Sequence, residues 1–374
     1  MDEMNVCAAC FGDSALRAWV REEAGPRGCS FCGRHFEPTV TLAAVARRIQ
    51  SSVQRYYGRA ADILYYESAN GGYLGSTWDN EEILEKMGLW LKGDEERLRS
   101  AIVGEMEEEL WCEKDPGALG PGEALSVSWA NFCRTVKHKR RFFFHATGED
   151  DRDSYTPSSL LETVADACDH LGLVGVLDVG QGLWRARVDL LRNQRARAPD
   201  FGPPPVEFAV QSNRMNPPGI PMLYLASTQR TALAETKSSD ARVGKWRVMR
   251  PLRVLDLRAL PIDPGPFAEW DPHVRATVSF IHEFAAAIMQ PVARDDRVNI
   301  EYLPSQVATE FFRDYVFSEG RIDGIVYRST VHRPGWNVAL FLDLADLGLE
   351  QRSWGRPRPL ALAFEKSAWV RFDQ

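Results

Sequence analysis

Four cysteines near the N-terminus stand in two pairs, Cys7 with Cys10 and Cys29 with Cys32, with eighteen residues between the pairs. A CxxC turn lets two thiolates meet one ion while its backbone amides offset their charge, and zinc takes four such soft ligands in a tetrahedron. Four protein ligands leave no open coordination position, so the expected zinc is structural and holds a region too small to fold alone. A second chemically capable stretch is Asn213–Glu235, NRMNPPGIPMLYLASTQRTALAE. It joins Arg214 in a Pro/Gly-rich turn, Tyr224 inside an apolar run, a polar break at Ser227 and Thr228, and Glu235 in a small-residue segment that begins at Thr231. Turn, buried strand and helix start is the simplest reading of that order. In such a unit a guanidinium, a phenol and a carboxylate converge on one cleft, which suits an anionic ligand with one reactive carbon. The bland readings are a dipole partner near the helix start for Glu235 and a core tyrosine with a satisfied hydroxyl for Tyr224.

The elements that must position these groups are bounded by composition. A chain of 374 residues exceeds one ordinary core and implies two to three domains. Its formal net charge of -7 argues against a nucleic-acid backbone as the main partner. No run approaches the ~18 apolar residues of a membrane span, and the opening MDEMNVCAAC lacks the basic-then-apolar order of a secretory signal. Seven cysteines, an odd number, fit a reducing compartment rather than a disulfide scaffold. A cytoplasmic protein without membrane contact is expected.

Taken along the chain, residues 1–38 read as the zinc-binding segment and 39–150 as a helical domain. Leu42, Val45, Ile49 and Val53 recur three and four apart, and Ile83, Met87, Leu91 and Leu98 are placed on later helices. Ser76, Thr77 or Asp79 would cap the helix after a turn-rich break, and Glu107–Glu109 reads as a solvated helix face. Cys112, Cys133 and Cys168 are expected in the core. Arg140 and His145, in RRFFFH, have the Arg-x4-His spacing of HEPN ribonucleases, a phosphate cation and a general base; the intervening Phe142, Phe143 and Phe144 read as core. Gly148–Pro157 is polar and turn-rich, the expected linker to a domain at 157–374. There a helix from Pro157 to Leu171 precedes strands near 183–190, 222–226, 254–257, 324–327 and 338–342, with helices at 273–289 and 306–317. Strands mixed irregularly with helices imply an α+β fold. Neither a GxGxxG fingerprint nor a Walker loop is present.

The pieces LWRARV, NRMNPPGIPMLYLASTQRTALAE, EYLPSQ and DGIVYRSTVHRPGWNVALF, in that order, resemble the RES domain, a family named for its Arg, Glu and Ser. The region before them resembles the HEPN/RES N-terminal module. The resemblance implies an ADP-ribosyltransferase-like mixed β core and an NAD-degrading bacterial toxin that breaks the nicotinamide–ribose bond. It also implies control by a protein inhibitor, an antitoxin, or by the N-terminal half. Carried over by position, Arg185 is the family's Arg, Glu235 its Glu and Ser329 its Ser, with Ser305 in LPSQ competing for the last role. Tyr224 falls on the family tyrosine, Arg214 on the arginine of its turn, and Arg187 and Asn337 are further candidates for holding NAD. Asn213 stands where that turn usually carries Gly. His273, His282 and His332 read as surface or helix-face residues and Trp336 as packing.

The chemistry of these residues fits the same substrate. A pyrophosphate suits the planar fork of Arg, and a carboxylate stabilises the positive charge that grows on ribose as a pyridine leaves. Three other readings stay open: ADP-ribosyl transfer to a macromolecule at the same site, RNA cleavage by Arg140 and His145, and a catalytically silent interaction module.

Overall fold

The computed structural model of the chain describes residues 4–23, 25, 28–69, 71–142, 153–193, 195–290, 297–350 and 359–371. Packing divides it into two compact units, residues 1–122 with 262–279, and residues 123–261 with 280–374. Residues 148–152 of the expected linker at 148–157 lie outside the described residues.

The first unit is built on the helix Leu42–Tyr56, whose Leu42, Val45, Ile49 and Val53 are all buried, as their spacing requires. Thr41 caps it by accepting from the Ala44 amide. Ahead of it the strand Asn5–Cys7 pairs antiparallel with Thr39–Thr41, which brings the first cysteine pair beside the chain that follows the second. Asp79 closes a reciprocal capping box with Glu82 on the helix Asn80–Lys86. Several expectations change here. Leu91 is bridged to Phe11 outside any helix, because the helices end at Lys86 and restart only at Glu95. Glu107 and Glu109 follow the helix Glu95–Glu105 and pair with Arg59 rather than decorating a helix face. Short strands at Tyr57–Arg59 and Trp111–Glu113 interrupt the helical region; three residues are too few to show a period of two. Trp111 is fully buried and donates its indole N–H to Asn80 Oδ1 at 2.8 Å.

Among the described residues of the second unit, eight strands form one mixed sheet. In chain order they are β1 (Val174–Leu177), β2 (Gly182–Arg187), β3 (Leu223–Ala226), β4 (Asp240–Val248), β5 (Leu252–Asp256), β6 (Gly324–Arg328), β7 (Trp336–Leu340) and β8 (Leu362–Arg371). Their order across the sheet is β8, β4, β2, β3, β7, β6, β5, β1. Only β5 and β6 pair in parallel among them. Alternation along β6 sends Ile325 and Tyr327 to one face and Val326 to the other. Ile325 and Tyr327 join Phe132, Val164, Phe284 and Phe312 from the helices. Val326 joins Leu183, Phe201 and Trp246 on the opposite face. The α+β expectation therefore holds for a mixed sheet with helices. Cys112 and Cys168 are buried and Cys133 half-buried. No helix among the described residues is long and apolar enough to cross a membrane.

Candidate functional site

The pairing register draws one row of side chains across the sheet. Trp184 on β2 stands opposite Ala226 on β3, Ala226 opposite Asn337 on β7, and Asn337 opposite Tyr327 on β6. Cross-strand partners share a face, and all four line a cleft of about 670 Å³. β2 and β3 pair only at Trp184 and Ala226. Beyond that point they part, and Arg185 and Tyr224 border the space between them. The cleft is completed by Arg214, Tyr302 and Glu235. Of the residues selected from sequence, Arg185, Arg214, Tyr224, Glu235 and Asn337 thus meet at one hollow, while Ser329, Ser305 and Arg187 do not line it.

Glu235 sits in the last turn of the helix Gln229–Thr236, not near its start. The helix begins at Gln229 rather than at Thr231, and Thr228 caps it by accepting from the Thr231 amide at 3.0 Å. A carboxylate at a helix C-terminus is disfavoured by the macrodipole by about 0.3–1 kcal/mol, so the dipole-partner reading fails. What holds the carboxylate is the sheet. Oε1 accepts from Ser329 Oγ at 2.8 Å and from Asn337 Nδ2 at 2.6 Å. Both donors are buried, and Oε2 has no protein donor among the described residues. Ser329 also accepts from the amides of Val331 and His332. Its hydroxyl is thereby committed to the turn and to Glu235, rather than directed at a phosphate or ribose oxygen.

His332 corrects another expectation. Instead of lying free on the surface, it is half-buried and its Nδ1 is 2.9 Å from Thr231 Oγ1, which clasps the Ser329 turn to the Glu235 helix. Gly335 passes so close that a Cβ there would lie 2.1 Å from Thr231 Oγ1. His273 is exposed, whereas His282 is half-buried, with Nε2 2.6 Å from the Pro261 carbonyl oxygen. Trp336 lies under the Arg258 guanidinium, 4.4 Å from its ring centroid.

Arg214 is aimed by the loop beneath it. Tyr224 donates to Asn216 Oδ1 at 2.7 Å and accepts from the Met215 amide. Ser305 donates to the Arg214 carbonyl at 2.5 Å, and Gln306 Nε2 reaches Ser212 Oγ, Asn213 O and Asn216 O. Ser305 therefore anchors the Arg214 loop, and Ser329 is the one of the two serines bonded to Glu235. Asn213 needs no glycine conformation, since Lys237 is the one non-glycine residue with positive φ among those described. Burial first, then the neighbouring Tyr327, pushes the Tyr224 phenol well above the usual tyrosine range. It stays protonated, so Tyr224 is no base.

Arg185 faces the gap from β2 and donates Nη1 to the carbonyls of Phe201 and Gly202. Phe201 is set against the sheet because Gly244 on β4 leaves room for its ring; a Cβ there would come within 2.5 Å. Burial, then the adjacent Arg187 charge, pulls the Arg185 guanidinium down to about 9. It remains a cation at neutral pH, held at a cost that an anion would relieve. Arg187 donates Nε to the Asp200 carbonyl at 3.0 Å. It lines a second hollow of about 600 Å³, which also borders Arg185 and Tyr224.

In the first unit the sulfurs of Cys7, Cys10, Cys29 and Cys32 all lie within 4.8 Å of one another. The separations from Cys7 to Cys32, from Cys10 to Cys29 and from Cys7 to Cys10 are 3.4, 3.5 and 3.8 Å. A tetrahedron with zinc–sulfur bonds of ~2.3 Å has edges of about 3.8 Å. The donor set and its size therefore fit a metal ion. Burial pushes Cys7 up to about 11. Burial also raises Cys29, but the amides of Phe31, Cys32 and Cys7 outweigh it and bring that thiol to about 7.

Arg140 is exposed, and His145, with Phe143 and Phe144, lies outside the described residues. Phe142 is 85% exposed and so is not the core residue expected.

Compared with known families, residues 22–150 match HEPN/RES N-terminal domain 1 and residues 183–362 match the RES domain. No curated protein and no solved structure matches the chain.

Proposed function

Since this chain carries a RES domain behind a HEPN/RES N-terminal domain, we propose that it degrades NAD by cleaving the bond between nicotinamide and ribose. In this reading it is a bacterial toxin restrained by a protein inhibitor or by its own N-terminal half. The observation that carries the reading is the placement of Glu235. Its carboxylate sits where the helix disfavours it, is fixed through one oxygen by Ser329 and Asn337, and shares its hollow with Arg185, Arg214 and Tyr224. Local rules are broken where a site needs them broken.

The residues divide the work. Arg185 and Arg214 hold the pyrophosphate, Arg185 gaining most because an anion relieves its desolvation and its repulsion from Arg187. Glu235 lies beside the ribose and stabilises the positive charge that develops at its anomeric carbon. The electron pair of the breaking bond leaves on nicotinamide, whose pyridinium becomes neutral, so no general acid is needed. The acceptor's oxygen forms the new bond and its proton passes to solvent. Asn337 and Ser329 are positioning residues that keep the Glu235 carboxylate turned toward the cleft. Tyr224 keeps Asn216 and the Arg214 loop in place and presents its ring to the hollow. The four cysteines hold a structural zinc that fixes the start of the first unit.

The test is to incubate the full chain with NAD and follow free nicotinamide. We expect release, with a loss of at least about 100-fold in Glu235→Gln, as for removal of a key electrostatic group. Product analysis names the acceptor. Labelled adenylate bound to protein would replace hydrolysis by ADP-ribosyl transfer, and absence of nicotinamide would end the proposal.

A further inference from the structure

Two hollows meet at Arg185 and Tyr224, and only the first contains Glu235. They share six lining residues, Arg185, Ala186, Val210, Gln211, Asn213 and Tyr224. The second is walled by Arg187, Asp189, Phe208 and the prolines at 203, 204 and 205. Resting on the reading of the first hollow as the cleavage site, we propose that the second hollow seats the adenylate half of the dinucleotide. In that arrangement the pyrophosphate lies at Arg185 between the two and the purine lies on Phe208.

Three features carry this. The first is connectivity: Arg185 borders both hollows, so a ligand gripped there by its central anion must send one end into each. The hydrogen bonds of the Arg185 guanidinium to protein among the described residues run through Nη1, to the Phe201 and Gly202 carbonyls. The second is the character of the walls. Three consecutive prolines fix their own φ and form a stiff apolar face, and beside them the Phe208 ring is 73% exposed. An exposed aromatic beside a proline face suits a base, because every base offers a π-face to stack. The third is the placement of the acid: Glu235 lines only the first hollow, so the ribose that is cleaved lies there and the other half of the dinucleotide is left to the second.

The test uses the full chain with Phe208→Ala and Phe208→Trp. Phe208 is exposed, so neither change removes core packing. We expect Phe208→Ala to raise KM for NAD about tenfold or more, the effect of losing one base–aromatic stack, with kcat within about twofold. Phe208→Trp restores KM. AMP, followed by calorimetry, binds the wild type one to one, competes with NAD and binds Phe208→Ala more weakly by the same factor. An unmoved KM, a Trp variant as impaired as the Ala variant, or AMP binding that is absent or equal in wild type and Phe208→Ala overturns the proposal. If wild type releases no nicotinamide, the parent reading fails by itself, and AMP binding still decides whether the second hollow is an adenylate seat.

Discussion

Replacing Ser329 by alanine separates a serine that touches the ligand from one that aims the carboxylate. Ser329 Oγ donates to Glu235 Oε1 at 2.8 Å, is 5% exposed and does not line the cleft. Its removal takes away one of two donors on that oxygen and leaves Asn337 Nδ2 at 2.6 Å. A hydrogen bond to a charged group contributes about 1.5–3 kcal/mol. Felt in the transition state, where the carboxylate faces a new positive charge, that amounts to about 10- to 150-fold in rate. The loss should fall on kcat, with KM for NAD within about threefold, because no ligand contact has been removed. Asn337→Ala should behave alike. The double variant should lose less than the product of the two, since both side chains hold the same oxygen and their effects are coupled. Initial rates of nicotinamide release across a range of NAD, on variants whose unfolding transitions match the wild type, measure all of this. A Ser329→Ala enzyme with unchanged kcat and a KM raised tenfold would refute the positioning argument and return the hydroxyl to the ligand.

Four further outcomes follow from the geometry. Metal analysis should find about one zinc per chain, and Cys29→Ser should lose it and unfold the first unit, because structural zinc contributes about 10–16 kcal/mol of apparent binding energy; a metal-free variant with wild-type melting would exclude the zinc. Gln306→Leu strands the acceptors at Ser212, Asn213 and Asn216, so denaturant unfolding should show a loss of about 1–3 kcal/mol, and KM should rise as the Arg214 loop loosens. Arg185→Lys places an ammonium, ordinarily near pKa 10.4, in surroundings that by burial and the Arg187 charge pull the native guanidinium down to about 9. Since the cation is the form lost as pH rises, KM for NAD in this variant should begin to climb at lower pH than in wild type, and superimposable KM–pH profiles would show that Arg185 does not face the anion. Lys237→Gly removes a side chain from φ +56° at the end of the Glu235 helix, and should stabilise the chain by about 0.5–1 kcal/mol with nicotinamide release unchanged.

Much of the site was legible because it is local. The order of turn, apolar run and small-residue segment in Asn213–Glu235 corresponds to the loop, β3 and the helix Gln229–Thr236. The cysteine spacing gave the cluster, since two CxxC turns need only one strand pairing to meet. The start of the Glu235 helix was placed two residues late, at Thr231, because the polar Thr228 reads as a break although it caps the helix that begins at Gln229. Strands β1, β4 and β8 escaped notice for different reasons. β1 has only four residues, while β4 and β8 carry charges at Arg242, Lys245, Arg247, Glu365 and Lys366 that break the apolar runs. In the structure Glu365 answers Lys245 and Arg247 across the strands, a pairing that no single-strand pattern displays. The clasp of His332 on Thr231 spans 101 residues and has no sequence signal.

The arrangement around Glu235 shows why a long sheet is needed to support a short site. The segment Asn213–Glu235 supplies the acid, the tyrosine and one arginine, yet each of these is held by something distant in sequence. Asn337 on β7 and Ser329 after β6 fix the acid, Ser305 and Gln306 fix the loop of Arg214, and the turn at Phe201 fixes Arg185. A free segment of the same composition would leave the carboxylate at the helix terminus facing water, where its charge is screened and its partners are solvent. Pairing β3 with β7 in register is what sets Asn337 opposite Ala226 and so within reach of Glu235. A one-residue slip would send Asn337 to the opposite face and remove the donor altogether. The register is kept by Leu223 and Leu225 on β3 and Val338 and Leu340 on β7, all four buried in the core on the far face. The apolar residues of these strands therefore determine where the acid points, although none of them is polar and none carries the chemistry.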